Sequence, residues 1–204
     1  MTTPNGTPLE LPLFPLHTVL FPGGRLPLQI FEPRYLDMVS RCMRDSHPFG
    51  IVLIRRGDDA RLTRDADQPD IFDVGTEAEI VDFNPLANGR LGIVVRGARK
   101  FRVARTWESS DHLLMAAVNP LPDEPAGPVS AEHVGLVEVL RDLAQHPLVQ
   151  RLGLEIDIGD VRSVGWRLAE LLPIEPEIKH SLLKLQWPRE RMQELARLVD
   201  KLRG

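Results

Sequence analysis

The chain has one cysteine, Cys42, among its 204 residues. No intrachain disulfide can form, which suits a reducing compartment and excludes a small stapled secreted fold. The apolar neighbours Met38, Val39 and Met43 mark Cys42 as a buried thiol. Lysine is also scarce, supplying four of the 25 basic residues. The arginine excess reads as coding bias rather than phosphate recognition. The net charge of −4 lacks the basic footprint of a dedicated nucleic-acid binder. No apolar run approaches the ~20 residues that cross a bilayer. Residues 1–8 have neither the basic nor the apolar region of a signal peptide. A cytoplasmic location is expected.

Several chemistries have no visible carrier. No Gly-x-x-x-x-Gly-Lys-Ser/Thr loop cradles nucleotide phosphates, and no Gly-x-Ser-x-Gly elbow presents a nucleophile. The six histidines (17, 47, 112, 133, 146 and 180) show no metal-ligand spacing. Glu155, Asp157 and Asp160 could imitate a cation site, but they sit where a loop and a helix cap are expected, and capping is the simpler reading. No catalytic residue, metal or cofactor is expected.

What is present begins with a crowded opening. Four prolines between positions 12 and 27 forbid a helix there. Leu11, Leu13, Phe14, Val19, Leu20, Phe21, Leu26, Leu28, Ile30 and Phe31 demand burial. Short extended segments joined by a turn at Pro22-Gly23-Gly24 satisfy both demands. Pro33 then opens a helix, with Tyr35, Met38, Val39 and Cys42 on one face, that ends before Pro48. Phe49 to Ile54 reads as a buried strand. The polar stretch from Arg55 to Asp70 reads as an exposed loop. Val74–Phe83, Arg90–Arg96, Arg99–Trp107 and His112–Val118 read as a meander, with turns at Asn88-Gly89 and Gly97.

Asn119 to Pro128 holds four prolines in ten residues, a semi-rigid linker composition. The apolar period then changes from two to 3.6. Ser130 and Asp160 are positioned as helix caps, and Pro176 and Pro188 as first helical residues. The predicted inward stripes are Leu136, Val137, Leu140, Leu143 and Ala144, then Val161, Val164, Leu168, Leu171 and Leu172. Ile178, Leu182 and Leu185 follow, then Met192, Leu195, Leu198 or Val199, and Leu202. The expected class is α+β: an N-terminal β pseudo-barrel with one inserted helix, then a C-terminal four-helix bundle. The expected organisation is a tail over 1–8, a β-rich unit over 9–119, a linker over 120–129 and a helical unit over 130–204.

Six short motifs resemble the N-terminal domain of the Lon protease, in that family's order. They are Leu-Pro-Leu-Phe-Pro-Leu (11–16), Val-Leu-Phe-Pro-Gly (19–23), Ile-Phe-Glu-Pro-Arg-Tyr (30–35), Phe-Gly-Ile-Val-Leu (49–53), Val-Gly-Thr-Glu-Ala-Glu-Ile (74–80) and Gly-Ala-Arg-Lys-Phe-Arg-Val (97–103). The resemblance implies a small PUA-like pseudo-barrel followed by helices, and a role in recognising protein substrates. Lon proteases continue into an ATPase and a serine-lysine protease domain. This sequence resembles a stand-alone recognition domain, a non-catalytic protein- or peptide-binding module that could serve as an adaptor in protein quality control. Its expected partners are proteins or unfolded peptides and, in that role, a separate ATP-dependent protease.

Candidate contacts are Phe21, Pro22, Leu86 and Trp107, which flank turns or strand ends. As a contact Phe21 would sit on the surface, against the burial that its run demands, and Phe31 is expected in the core. A free sheet edge is the other expected contact, because an added strand gains main-chain hydrogen bonds. Trp166 projects away from the apolar stripe of its helix, so it either packs on a neighbouring element or marks a partner surface. Arg96, Arg99, Lys100, Arg102 and Arg105 form the one local basic patch. It is either a solvated strand face or, in an alternative reading of the whole protein, an RNA-binding surface lacking aromatic stacking partners other than Trp107.

Overall fold

The prolines of the opening segment leave it extended. β1 (Leu9–Leu16) and β2 (Arg25–Ile30) are strands, and Pro33 occupies the first turn of α1 (Pro33–Asp45). The computed structural model describes residues 9–58 and 68–203. The expected tail and the middle of the polar loop (59–67) lie outside the described residues. β3 (Phe49–Arg56), β4 (Asp70–Pro85), β5 (Leu91–Glu108) and β6 (Leu114–Pro120) complete one sheet, ordered β2-β5-β4-β3-β1-β6. β6 also pairs with the second half of β5, so five strands close into a ring, and β2 flanks the first half of β5. β1 and β3 run parallel, and the other pairs are antiparallel.

Two apolar clusters fill this half. α1 lays Tyr35, Met38, Val39 and Cys42 against Phe14, Phe49, Ile51, Ile93 and Val95. Tyr35 stacks on Phe14 at 4.2 Å. Leu11, Leu13, Val52, Phe101, Leu114, Ala116 and Val118 form the second cluster. A third joins the helices α2 (Val134–Ala144), α4 (Val161–Leu171), α5 (Pro176–Lys184) and α6 (Pro188–Arg203), and includes Phe21 and Val74 from the sheet side.

Several local expectations are corrected. Gly97 is not a turn. β5 runs through it without a break, and a Cβ there would sit 2.1 Å from the Phe21 carbonyl oxygen. Pro147 starts a short helix outside the four expected stripes, α3 (Pro147–Leu152), whose Leu148 N–H is accepted by His146 Nδ1. Asp160 caps α4 through the Arg162 N–H at 3.0 Å, whereas the Ser130 hydroxyl turns to His133 Nδ1 and a 3-10 turn (Ala131–His133) leads into α2. α5 buries His180, Leu182 and Leu183, leaving Ile178 exposed. His180 is drawn inward because its Nε2 meets the Val74 carbonyl at 3.2 Å and its ring lies 4.4 Å from Phe72.

The largest correction exchanges two phenylalanines. Phe21 is 0% exposed, while Phe31 is 59% exposed. The Phe21-Pro22-Gly23-Gly24 turn is locked between the sheet and α4. Gly23 N–H donates to the Gly97 carbonyl at 2.7 Å, and Gly97 N–H returns to Gly24 at 3.0 Å. Thr76 Oγ1 donates to the Leu20 carbonyl at 2.6 Å. From α4, buried Arg167 donates to the Pro22 carbonyl, and the Glu170 carboxylate accepts the Arg25 N–H. Gly23 has φ of +70°, and a Cβ on Gly24 would meet Glu170 Oε1 at 2.6 Å. The Pro-Gly-Gly sequence is therefore set by close packing rather than by exposure.

A second interlock is ionic. Glu124, in the irregular stretch after β6, is buried between Lys100 of β5 and Arg191 of α6. Arg191 grips both carboxylate oxygens, at 2.7 and 2.5 Å. The two cations also donate to the carbonyls of Leu182, Leu183 and Leu185, so they cap the C-terminal end of α5 where its dipole is negative. Gly165 lets α4 approach α6, because Arg191 Cδ lies 3.3 Å from where a Cβ would be.

Three outcomes are expected. Phe21→Ala costs about 3–5 kcal/mol in urea unfolding, whereas Phe31→Ala stays within about 0.5 kcal/mol. Glu124→Gln, which strands two buried cations, costs about 3–5 kcal/mol by the same measurement. Burial pushes the His180 imidazole below its ordinary range, outweighing the Val74 carbonyl and Asp73, which favour its charged form. The unfolded chain then binds a proton that the folded chain rejects. This contribution is complete above the ordinary histidine range and is lost as pH falls through it. A fall in the urea midpoint on acidification below about pH 6.5 should shrink in His180→Gln.

Candidate functional site

β4 outruns its partner β3. Their last pair is Phe49 with Ala78, and from Glu79 to Pro85 β4 pairs only with β5. The opposite edge of that segment is open. A bulge falls at Val81, where the register skips from Ile80 to Asp82. The Phe83 N–H donates to Asp82 Oδ1 at 2.8 Å. Val81 and Phe83 are both exposed, Phe83 by 55%, because α1 and the ring end short of them.

Three adjoining grooves meet around this segment. One, of about 410 Å³, runs between Glu79–Phe83 and the end of α1 at Met43, Ser46 and His47. A second, of about 300 Å³, passes over Gly92 between Pro27 and Leu28 on one side and Phe83 and Leu86 on the other. The third, of about 230 Å³, lies between the same β2 residues and Phe31, with Phe14 and Tyr35 beneath. Phe83 belongs to the first two and Leu28 to the last two. Strand register puts Leu28, Ile93 and Phe83 on the α1 face and Gly92 and Asn84 on the other, so the grooves lie on both faces of the β2–β5–β4 segment and share its residues.

Of the five contacts expected from sequence, only Leu86 lies on this surface. Phe21 and Pro22 are buried against α4 and are corrected as contacts. Trp107 is half-exposed near the far end of β5, with the Arg105 guanidinium 4.8 Å from its ring centre. Trp166 is half-buried, with Arg162 and Arg191 at 5.6 and 5.8 Å from its ring. Phe31, Val81 and Phe83 were missed. The available signal was position: Asp82-Phe83-Asn84-Pro85 carries its aromatic into an Asn-Gly turn, beyond the reach of the packed layers.

The basic patch separates in three dimensions. Lys100 is 4% exposed and belongs to the Glu124 interlock, which corrects its place on a solvated face. The other four are exposed and each faces a carboxylate: Arg96 with Glu79, Arg99 with Glu77, Arg102 with Asp73 and Arg105 with Glu10.

Cys42 lines the first groove, but burial pushes its thiol up despite nearby Arg41, so the reactive thiolate is disfavoured. Among the described residues no cluster of three His, Cys, Asp or Glu could hold a metal ion. No described helix is long and apolar enough to cross a membrane. The surface offers apolar contact and an unpaired strand edge.

Comparison with known proteins identifies the fold and the family. The family model described as the ATP-dependent protease La (LON) substrate-binding domain matches residues 10–201. A Lon N-terminal domain protein from Xanthomonas campestris superposes with a TM-score of 0.75 at 34% identity, covering 92% of this chain and 97% of that one. The Lon protease of Anaeromyxobacter dehalogenans is 31% identical over 52% of this chain, and that of Cytophaga hutchinsonii 25% identical over 95%. The chain spans only 12% and 24% of the lengths of these two relatives. The matched region is their substrate-binding part, which is non-catalytic. The chain belongs to the Lon substrate-binding domain family.

Proposed function

We propose that this protein is a non-catalytic module that binds extended or unfolded segments of other proteins, through the surface around Phe83, Leu28 and Phe31. The observation that carries the reading is the exposure of these side chains around connected grooves beside an unpaired strand edge. Exposed large apolar groups that no fold requirement explains mark interaction surfaces. An unpaired edge can hold an extended segment by main-chain hydrogen bonds whatever its sequence. Leu86 is retained as a contact, and Trp107 and Trp166 as peripheral ones.

The family resemblance and the sequence together support the finer parts of the proposal. The closed ring is a PUA-like pseudo-barrel, the helices of the second half form a four-helix bundle, and the two units divide near residues 120–129. The module acts in the cytoplasm as an adaptor that delivers bound clients to a separate ATP-dependent protease, and it has no ATPase or peptidase activity of its own. RNA binding along Arg96 to Arg105 has less support. Four of those cations already face carboxylates and the fifth is buried, so little charge is left for phosphates.

A permanently unfolded protein, reduced and alkylated lactalbumin, supplies the test. Phe83→Ser and Phe31→Ser should each weaken its binding at least about fivefold, with thermal midpoints unchanged within about 2 °C, because both side chains are exposed. Binding untouched by either substitution would remove this surface from the proposal.

A further inference from the structure

The outer face of the β2–β5–β4 segment carries a charge feature that folding does not use. Antiparallel register sets three rows across it: Arg25, Arg96 and Glu79; Pro27, Val94 and Asp82; Gln29, Gly92 and Asn84. Arg25 and Arg96 stand directly opposite each other, a like-charge pair that disfavours the strand pairing. Arg96 is relieved by Glu79 at 2.7 Å. Arg25 is not. Its backbone N–H is held by Glu170, but its guanidinium has no carboxylate partner among the described residues.

A second unpaired arginine joins it. A cavity of about 370 Å³ is lined by Arg25, Pro27, Val81, Asp82 and Val94 from the sheet and by Arg151 and Leu152 from α3. Arg151 is exposed and likewise has no carboxylate partner among the described residues. The one carboxylate in this lining is Asp82, whose Oδ1 accepts the Phe83 N–H. Pro27, Asp82 and Val94 also line the apolar groove over Gly92, so the two cavities form one trough. One end is floored by Gly92 and flanked by Leu86, while the Leu28 and Phe83 side chains belong to the opposite face of the sheet. The other end presents two guanidinium groups. From Gly92 to Arg96 the strand advances about 13 Å, the length of about four residues of extended chain.

We propose that this trough takes an extended protein segment with an apolar side chain over Gly92 and an acidic side chain, about four residues away, between Arg25 and Arg151. This deepens, and rests on, the reading of the chain as a protein-binding module. The charge complementarity singles out an acidic client side chain. A guanidinium left unpaired beside an apolar floor is a ready carboxylate partner, and two at one end give the site a polarity.

Fluorescent peptides of about ten residues, acetylated and amidated at their ends, test this. One carries glutamates about four residues from an aromatic anchor, and its counterpart carries glutamines at the same positions. The glutamate peptide should bind the wild-type protein about fivefold more tightly at low salt, and the difference should shrink as salt screens the charges. In the double variant Arg25→Gln, Arg151→Gln the two peptides should bind alike, at the affinity the wild type shows for the glutamine peptide. Circular dichroism melts confirm that the variant is folded. Equal affinities for the wild type, or a preference surviving in the double variant, would overturn the inference and leave the binding module standing. Failure of both peptides to bind at all would overturn the module with it. A glutamine peptide with a free C-terminal carboxylate that outcompetes the amidated glutamate peptide would show that the chain end is read instead, and the side-chain proposal would fall.

Discussion

The contact between Phe21 and Gly97 governs how the two halves of this protein meet. The Phe21 carbonyl lies where any side chain at residue 97 would have to be, so β5 and the Pro22-Gly23-Gly24 turn can touch only through bare backbone. Once that approach is allowed, Gly97 accepts from the Gly23 N–H and donates to the Gly24 carbonyl, and the Phe21 ring is left projecting into the helices. Arg167 and Glu170 of α4 then close over the turn. An apolar ring is buried, and the Phe21, Pro22 and Gly24 carbonyls and the Gly23 and Gly24 N–H groups each have a hydrogen-bond partner, which is how backbone is buried at little cost.

The Glu124 interlock works by a different physical route at the other side of the helices. Two cations and one carboxylate are removed from water, an arrangement unfavourable in itself. It is supported by the carbonyls at the end of α5, which supply negative partial charge that a third side chain would otherwise provide. The sheet, the segment after it and α6 are thereby tied at one point. Trp166 and Gly165 lie against the same arginine, so the off-stripe tryptophan also takes part in this packing.

With both sides of the helices committed to these interlocks, one group of exposed apolar residues lies where β2, β5 and β4 extend past the ring, apart from those on the helical half such as Leu148 and Trp187. Nothing behind Phe83 and Phe31 requires them to be apolar for stability. The bulge at Val81 and the prolines at positions 27 and 85 are devices that limit uncontrolled edge pairing. Their presence beside exposed aromatics fits a surface that engages polypeptide while resisting indiscriminate aggregation.

The sequence by itself determined the family and most of the elements, though not α3 or the unbroken run of β5 through Gly97. Proline placement required β1 and β2 to be extended and started α1, α5 and α6, because ring geometry acts locally. The stripe of Tyr35, Met38, Val39 and Cys42 was legible because burial follows the helical period. The site was far less legible. Phe21 and Phe31 are both apolar residues beside turns, and no local rule separates them. Which one is buried depends on Gly97, 76 residues further along, and on a helix beyond residue 160. Lys100 reads as one more base in a basic strand until Glu124 and Arg191 arrive around it. The trough between Arg25 and Arg151 brings together residues 126 positions apart, through strand register and the placement of α3. Such properties are decided by which distant groups pack together, and only the tertiary structure specifies that.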